Sequence, residues 1–139
     1  MAIKKAWDLA NEAKREIENL SIEQAKAELA SGNDVLLVDI RELQELVDLG
    51  AIPGAQHAPR GMLEFWADPS IDYYRDFFRP ERRTILYCAG GGRSALAAKT
   101  MKGMGYTNVA HLEVGFNGWK AAGEPVDDFA ATSKWVRRE

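Results

Sequence analysis

Ile85-Leu86-Tyr87-Cys88-Ala89-Gly90-Gly91-Gly92-Arg93-Ser94-Ala95-Leu96-Ala97-Ala98 joins an apolar run to the chain's only cysteine, three consecutive glycines, an arginine and an alanine-rich segment. The order reads as a strand, a loop and a helix start. Without Cβ atoms, glycines accept positive φ and close approach, so backbone N–H groups can converge on one centre at the helix N-terminus, an anion-binding nest. A thiol held there ionises readily. Fixed N–H dipoles, the helix dipole and Arg93 all favour thiolate, and such surroundings bring a cysteine pKa from about 8.5 into roughly the 3.5–7.5 range. The competing reading is a packed structural cysteine beside a turn, since free cysteines are commonly buried. Three glycines in a row, each costing about 0.5–1 kcal/mol relative to alanine where φ is ordinary, favour the reactive cysteine.

Outward from this loop, apolar runs alternate with helical patterns. Upstream, Val35-Leu36-Leu37-Val38 is continuous enough for a strand buried on both faces, and it ends in Asp39-Ile40-Arg41-Glu42. A short helix from Glu42 to Gly50, a turn through Ile52-Pro53-Gly54-Ala55 and a short strand at Gln56-His57-Ala58 follow. Gly61 to Trp66 reads as helical. Downstream, Ser94 to Met104 is a helix, Val109 to Leu112 a strand, and Phe116 to Ala122 a last helix. This alternation predicts an α/β fold with a mainly parallel central sheet and helices on both faces. Ligands of such sheets bind beyond the carboxyl ends of the strands, where Cys88 and Asp39 both fall.

At the start of the chain, Ala6, Leu9, Ala10, Ala13, Ile17 and Leu20 recur at helical spacing, so residues 1–20 are read as one amphipathic helix. It either packs on its own domain, the preferred reading, or docks a second molecule. Ser21 and Gln24 then form a capping box that opens a second helix, Ile22 to Ala30. The expected organisation is an N-terminal helical extension over 1–20, one domain over 21–126 and a mobile tail over 127–139 in which Trp135 and Val136 can dock.

Composition narrows the function. A net charge of −3 over 139 residues supplies no basic field for nucleic acid, and no apolar run approaches the ~20 residues of a membrane span. One cysteine allows no intramolecular disulfide, and the first twenty residues lack a signal peptide's apolar block, so a reducing cytoplasm is the expected compartment. Neither a cofactor nor a metal is expected: His57 and His111 stand alone and are read as packed or exposed histidines. Trp66 is read as a pocket wall, and Phe65, Phe77 and Phe78 as core.

Four motifs in order resemble the single-domain rhodaneses, a family of sulfurtransferases. They are Val38-Asp39-Ile40-Arg41-Glu42 with Glu45, Gly50-Ala51-Ile52-Pro53-Gly54-Ala55, Cys88 to Ser94, and Gly115-Phe116-Asn117-Gly118-Trp119. The similarity covers residues 21 to about 126 and departs from the family where Ala51 replaces a histidine and Val114 a glycine. It implies that Cys88 takes a sulfane sulfur from a small donor such as thiosulfate and passes it, as a persulfide, to cyanide or a thiol. The N–H groups of Ala89, Gly90, Gly91, Gly92, Arg93 and Ser94 are the expected cradle for the negative sulfur. Arg93 either faces an anionic donor or pairs with Asp39 or another carboxylate and braces the loop. For Asp39 and Arg41 a structural ion pair is expected, because buried charges need partners. The expected state is a monomer or weak homodimer. Two alternatives stay open: a cysteine phosphatase of rhodanese-like fold, whose loop is one residue longer than the four between Cys88 and Arg93, and a persulfide carrier for tRNA or cofactor thiolation, whose acceptor is a protein.

Overall fold

The structure, a computed structural model, describes residues 2–133. Five strands form one sheet in the order β1-β5-β4-β2-β3, with every neighbouring pair parallel. They are β1 (Glu18–Leu20), β2 (Val35–Asp39), β3 (Gln56–His57), β4 (Arg83–Tyr87) and β5 (Val109–Leu112). The helices are α1 (Ala6–Lys14), α2 (Ile22–Leu29), α3 (Leu43–Leu49), α4 (Leu63–Trp66), α5 (Gly92–Met104), α6 (Gly115–Ala121) and α7 (Phe129–Thr132).

Side chains alternate across the pleat and divide the core into two layers. Leu36, Val38 and Leu86 point to the face covered by α4 and α5, where they meet Leu63, Ala97, Ala98 and Met101. Leu37, Ile85, Tyr87 and Ala110 point to the opposite face, against Ala25 of α2 and Phe116 and Trp119 of α6. Helices therefore cover both faces, as the alternation predicts. In the central pair Asp39 stands opposite Tyr87, which places the end of β2 level with the residue before Cys88.

The first twenty residues depart from the single-helix reading. α1 stops at Lys14, with a tightened last turn in which the Arg15 and Glu16 N–H groups reach the Glu12 and Ala13 carbonyls. Chain reversal is held by Asn19, whose Nδ2 donates to the Lys14 carbonyl at 2.8 Å and to that of Ile17 at 3.2 Å. Glu18–Leu20 then adds to the edge of the sheet beside β5, and Leu20 drops into the second core layer. A three-residue strand is too short to show a period of two, so helical spacing carried the reading past its end. α1 lies on α5 of its own domain, burying Ala10 and Ala13, with Glu16 paired to Lys99 at 2.9 Å. The capping box at Ser21 and Gln24 is present in both directions.

The start of the tail is anchored rather than mobile. Asp127 and Ala51 exchange both backbone hydrogen bonds, at 2.8 and 3.1 Å, and α7, capped by Asp128, lies against α3. Trp135 and Val136 fall outside the described residues.

Candidate active site

β4 delivers Cys88, and the chain then turns through Ala89, Gly90 and Gly91 into α5. The carbonyls of Cys88 and Ala89 point away from the sulfur and accept from the Phe116 and Asn117 N–H groups at 2.8 and 3.0 Å, so the first turn of α6 grips the loop from behind. That grip explains Gly115: its φ is +65°, and a Cβ there would lie 2.4 Å from the Ala89 oxygen. Gly91 is equally constrained, with φ +91° and space for a Cβ only 2.1 Å from the Glu113 carbonyl oxygen. The result aims backbone donors at the sulfur. Cys88 Sγ accepts from Gly91 N at 3.2 Å and Ser94 N at 3.4 Å, while the Ser94 hydroxyl lies 3.5 Å away. Cys88 is 1% exposed, whereas Gly90 at the tip is open to solvent.

Among the loop residues expected to form the cradle, Gly91 and Ser94 supply these contacts. Ala89 is the gripped residue, Gly90 the tip and Gly92 the first residue of α5. The Arg93 side chain turns to the rim and makes a two-pronged bond with Glu45, at 2.7 and 3.0 Å. This bond, with Cys88 as a lesser contributor, holds the Arg93 pKa above its ordinary value, and the same bond holds Glu45 below the usual carboxylate range. Glu45 also accepts from the Glu42 N–H at 3.2 Å, so the cap of α3 positions it to receive the arginine.

Asp39 and Arg41 form the expected ion pair. Arg41 Nη2 reaches Asp39 at 2.7 Å and the Gly50 carbonyl at 2.7 Å, fastening the end of β2 to the end of α3. Its guanidinium lies 4.1 Å from the Phe116 ring centre, and Nη1 is buried without a hydrogen-bond partner among the described residues. Burial first, and Asp39 next, raise the pKa of Tyr87, whose hydroxyl oxygen accepts from the Ile52 N–H at 3.0 Å.

Three features escaped the sequence reading. His111 is fully buried behind the loop, bonded through Nδ1 to the Ser94 hydroxyl at 2.8 Å and through Nε2 to Asn19 Oδ1 at 2.7 Å. Trp7 of α1 closes on the loop from the front, its ring atoms 3.1 Å from where a Gly92 Cβ would stand. Trp66, by contrast, walls a separate cleft of about 880 Å³ with His57, Tyr74, Phe77 and Phe129, to which Cys88 does not contribute among the described residues. Phe78 is core, as expected, and Phe65 is exposed. A pairing of Asn19 with His111 would have been visible only to a reading that recognised β1, because the two face each other across the β1–β5 register.

A parallel α/β sheet that presents a cysteine to converging N–H donors at a helix N-terminus defines a class of sites suited to holding negative charge. Within that class, the chain belongs to the rhodanese family, whose model, described as a rhodanese-like domain, matches residues 21–122. A sulfurtransferase from Allochromatium vinosum is 32% identical over 79% of this chain and 94% of its own. A putative sulfur carrier protein from Bacillus subtilis is 27% identical over 84% of this chain, which spans 58% of that relative's length. Among solved structures, a polysulfide-sulfur transferase homodimer from Wolinella succinogenes superimposes with a TM-score of 0.71 at 27% identity, covering 95% of this chain and 91% of that one. A Rhodopseudomonas palustris protein of unknown function, described as a possible tyrosine phosphatase, gives a TM-score of 0.85 at 41% identity, covering 91% and 97%. No helix among the described residues is long and apolar enough to cross a membrane.

Proposed function

We propose that the protein moves a sulfane sulfur from a small donor such as thiosulfate to cyanide or a thiol through a persulfide on Cys88. The observation that carries this is the pair of N–H groups, from Gly91 and Ser94, aimed at one sulfur atom. In the first step the Cys88 thiolate attacks the outer sulfur of thiosulfate, the S–S bond breaks, and sulfite leaves with the electron pair. The second step reverses the roles: the acceptor attacks the terminal sulfur of the persulfide and the Cys88 thiolate is released. Both steps begin or end with negative sulfur on the same donors, and preorganised donors of this kind are worth about 2.7–4 kcal/mol each.

A phosphatase is the second reading, favoured by the Rhodopseudomonas likeness. Four residues between Cys88 and Arg93 make a small ring, and Arg93 is already held by Glu45, which suits a sulfur atom better than a tetrahedral phosphate. The carrier reading shares the persulfide and differs only in its acceptor, a protein thiol or enzyme instead of a small molecule. Presenting thiosulfate, 3-mercaptopyruvate and glutathione persulfide in turn, with cyanide as acceptor, tests the proposal. Thiocyanate is expected from at least one donor with wild type and from none with Cys88→Ser, while equal turnover by Cys88→Ser contradicts it.

A further inference from the structure

A continuous line of polar groups, buried at Cys88, Ser94 and His111 and half-buried at Asn19, runs from Cys88 on the side away from the mouth. Its far end is fixed by backbone. Asn19 Nδ2 is spent on the Lys14 and Ile17 carbonyls, so Oδ1 faces His111 as an acceptor, and the bond at 2.7 Å requires a hydrogen on His111 Nε2. A neutral ring then offers its Nδ1 lone pair to the Ser94 hydroxyl at 2.8 Å, and Ser94 Oγ in turn faces Cys88 Sγ at 3.5 Å. Cys88, Ser94 and His111 are all within 1% of complete burial, so water does not compete for these bonds.

We propose that Ser94, His111 and Asn19 form a proton relay that ionises Cys88. The S–H proton passes to Ser94 Oγ as the original Oγ–H proton passes to His111 Nδ1. One S–H and one O–H bond break, one O–H and one N–H bond form, and the neutral thiol–imidazole pair becomes thiolate and imidazolium. In that state every hydrogen bond reverses usefully: Nδ1–H donates to Oγ, and the Ser94 hydroxyl donates to the thiolate beside the Gly91 and Ser94 N–H groups. Without protonation of His111, the Ser94 hydrogen is committed to the ring and the thiolate loses that donor.

The groups that face His111 agree with this. Lys14 lies toward it from the end of α1, Asn19 from β1, Ser94 from α5, Cys88 through Ser94 from the loop, and apolar Leu86 stands beside it on β4. Burial, and secondarily Lys14, push the His111 pKa down to about 4, so an isolated imidazolium is not stable there. Imidazolium and thiolate therefore appear and vanish together, as a coupled pair. His111 is a positioning residue acting through Ser94, and Asn19 sets its tautomer. Asn19 precedes the segment matched by the family model, so this contact comes from the chain's own β1.

The inference rests on Cys88 being the nucleophile, but it is tested without sulfur transfer. The rate of Cys88 alkylation by iodoacetamide is measured from about pH 5 to 9 on the full chain, as wild type, Ser94→Ala and His111→Gln, with folding checked by circular dichroism. Ser94→Ala keeps the backbone N–H and removes only the hydroxyl, so it remains informative if His111→Gln does not fold. Wild type is expected to show a rate nearly flat between about pH 6 and 8. Each variant should fall at least about tenfold below it at pH 6 and converge with it near pH 9, a loss below the 10²–10⁴-fold of positioned proton transfer because two N–H donors remain. Profiles parallel to wild type, whether equal or uniformly lowered, overturn the relay. Since alkylation reads ionisation alone, a flat wild-type profile with no donor able to load Cys88 would keep the relay and remove the sulfurtransferase reading.

Discussion

Two arginine–carboxylate pairs flank the cysteine loop, with the same 2.7 Å separation and opposite surroundings. Asp39 and Arg41 are 0% exposed, while Arg93 and Glu45 retain 39% and 28% of their side-chain exposure. The buried pair cannot be opened by a substrate, because each partner would be left charged in an apolar layer between Tyr87 and Phe116. The rim pair can be. On the proposed function, its guanidinium would exchange Glu45 for an anionic donor at little cost, since solvated pairs are worth about 0–1 kcal/mol. One motif arginine is thus locked in the fold and the other lies exposed at the rim of the loop, although the sequence presents both as charged residues near strand ends.

Breaking the buried pair should have the largest effect on stability. Asp39→Ala leaves Arg41 unpaired inside the protein and is expected to lower unfolding free energy by about 3–5 kcal/mol, measured by urea denaturation. A loss below about 1 kcal/mol would mean that water reaches Arg41. The next effect concerns the other buried ionisable group. His111 binds its proton less readily folded than unfolded, so between about pH 6.5 and 4 the unfolded chain carries the extra proton and stability falls as pH falls. About 2–3 kcal/mol should be lost across that window, and His111→Gln should flatten this part of the melting-temperature profile. A slope unchanged in the variant would assign the acid sensitivity elsewhere.

Arg93→Ala should leave stability within about 1 kcal/mol of wild type, because the pair it breaks is solvated. Its effect belongs in transfer kinetics: a fall of about tenfold in kcat/KM, corresponding to about 1.4 kcal/mol, is expected for an anionic donor. Arg60→Ala, which removes a pair with Glu64 on the surface, should change the rate least of all. Equal rates for the two arginine variants would deny Arg93 its role at the rim.

Much of this contrast was legible before the structure. The glycine run after a buried strand pointed to the loop that turns N–H groups toward Cys88, and the rule that buried charges need partners anticipated Asp39 with Arg41. Contacts between distant residues were not legible: Glu45 lies 48 positions from Arg93, and Asn19 lies 92 from His111. His111 read as an unremarkable histidine because its neighbours come from β1 and α5, and β1 itself was hidden by three residues whose spacing also fits a helix. Gly115 appeared only as part of a motif. Its necessity follows from the Ala89 carbonyl that it faces, which no spacing rule contains.

Intact-protein mass spectrometry tests the central claim most directly. Brief exposure to thiosulfate or a low-molecular-weight persulfide should add the mass of one sulfur atom at Cys88, and cyanide or dithiothreitol should remove it. Aryl phosphate presented to the same preparation should not be hydrolysed. Failure of every donor to load Cys88, together with phosphate release that disappears in Cys88→Ser, would contradict the sulfur-transfer account and assign the loop to phosphoryl chemistry.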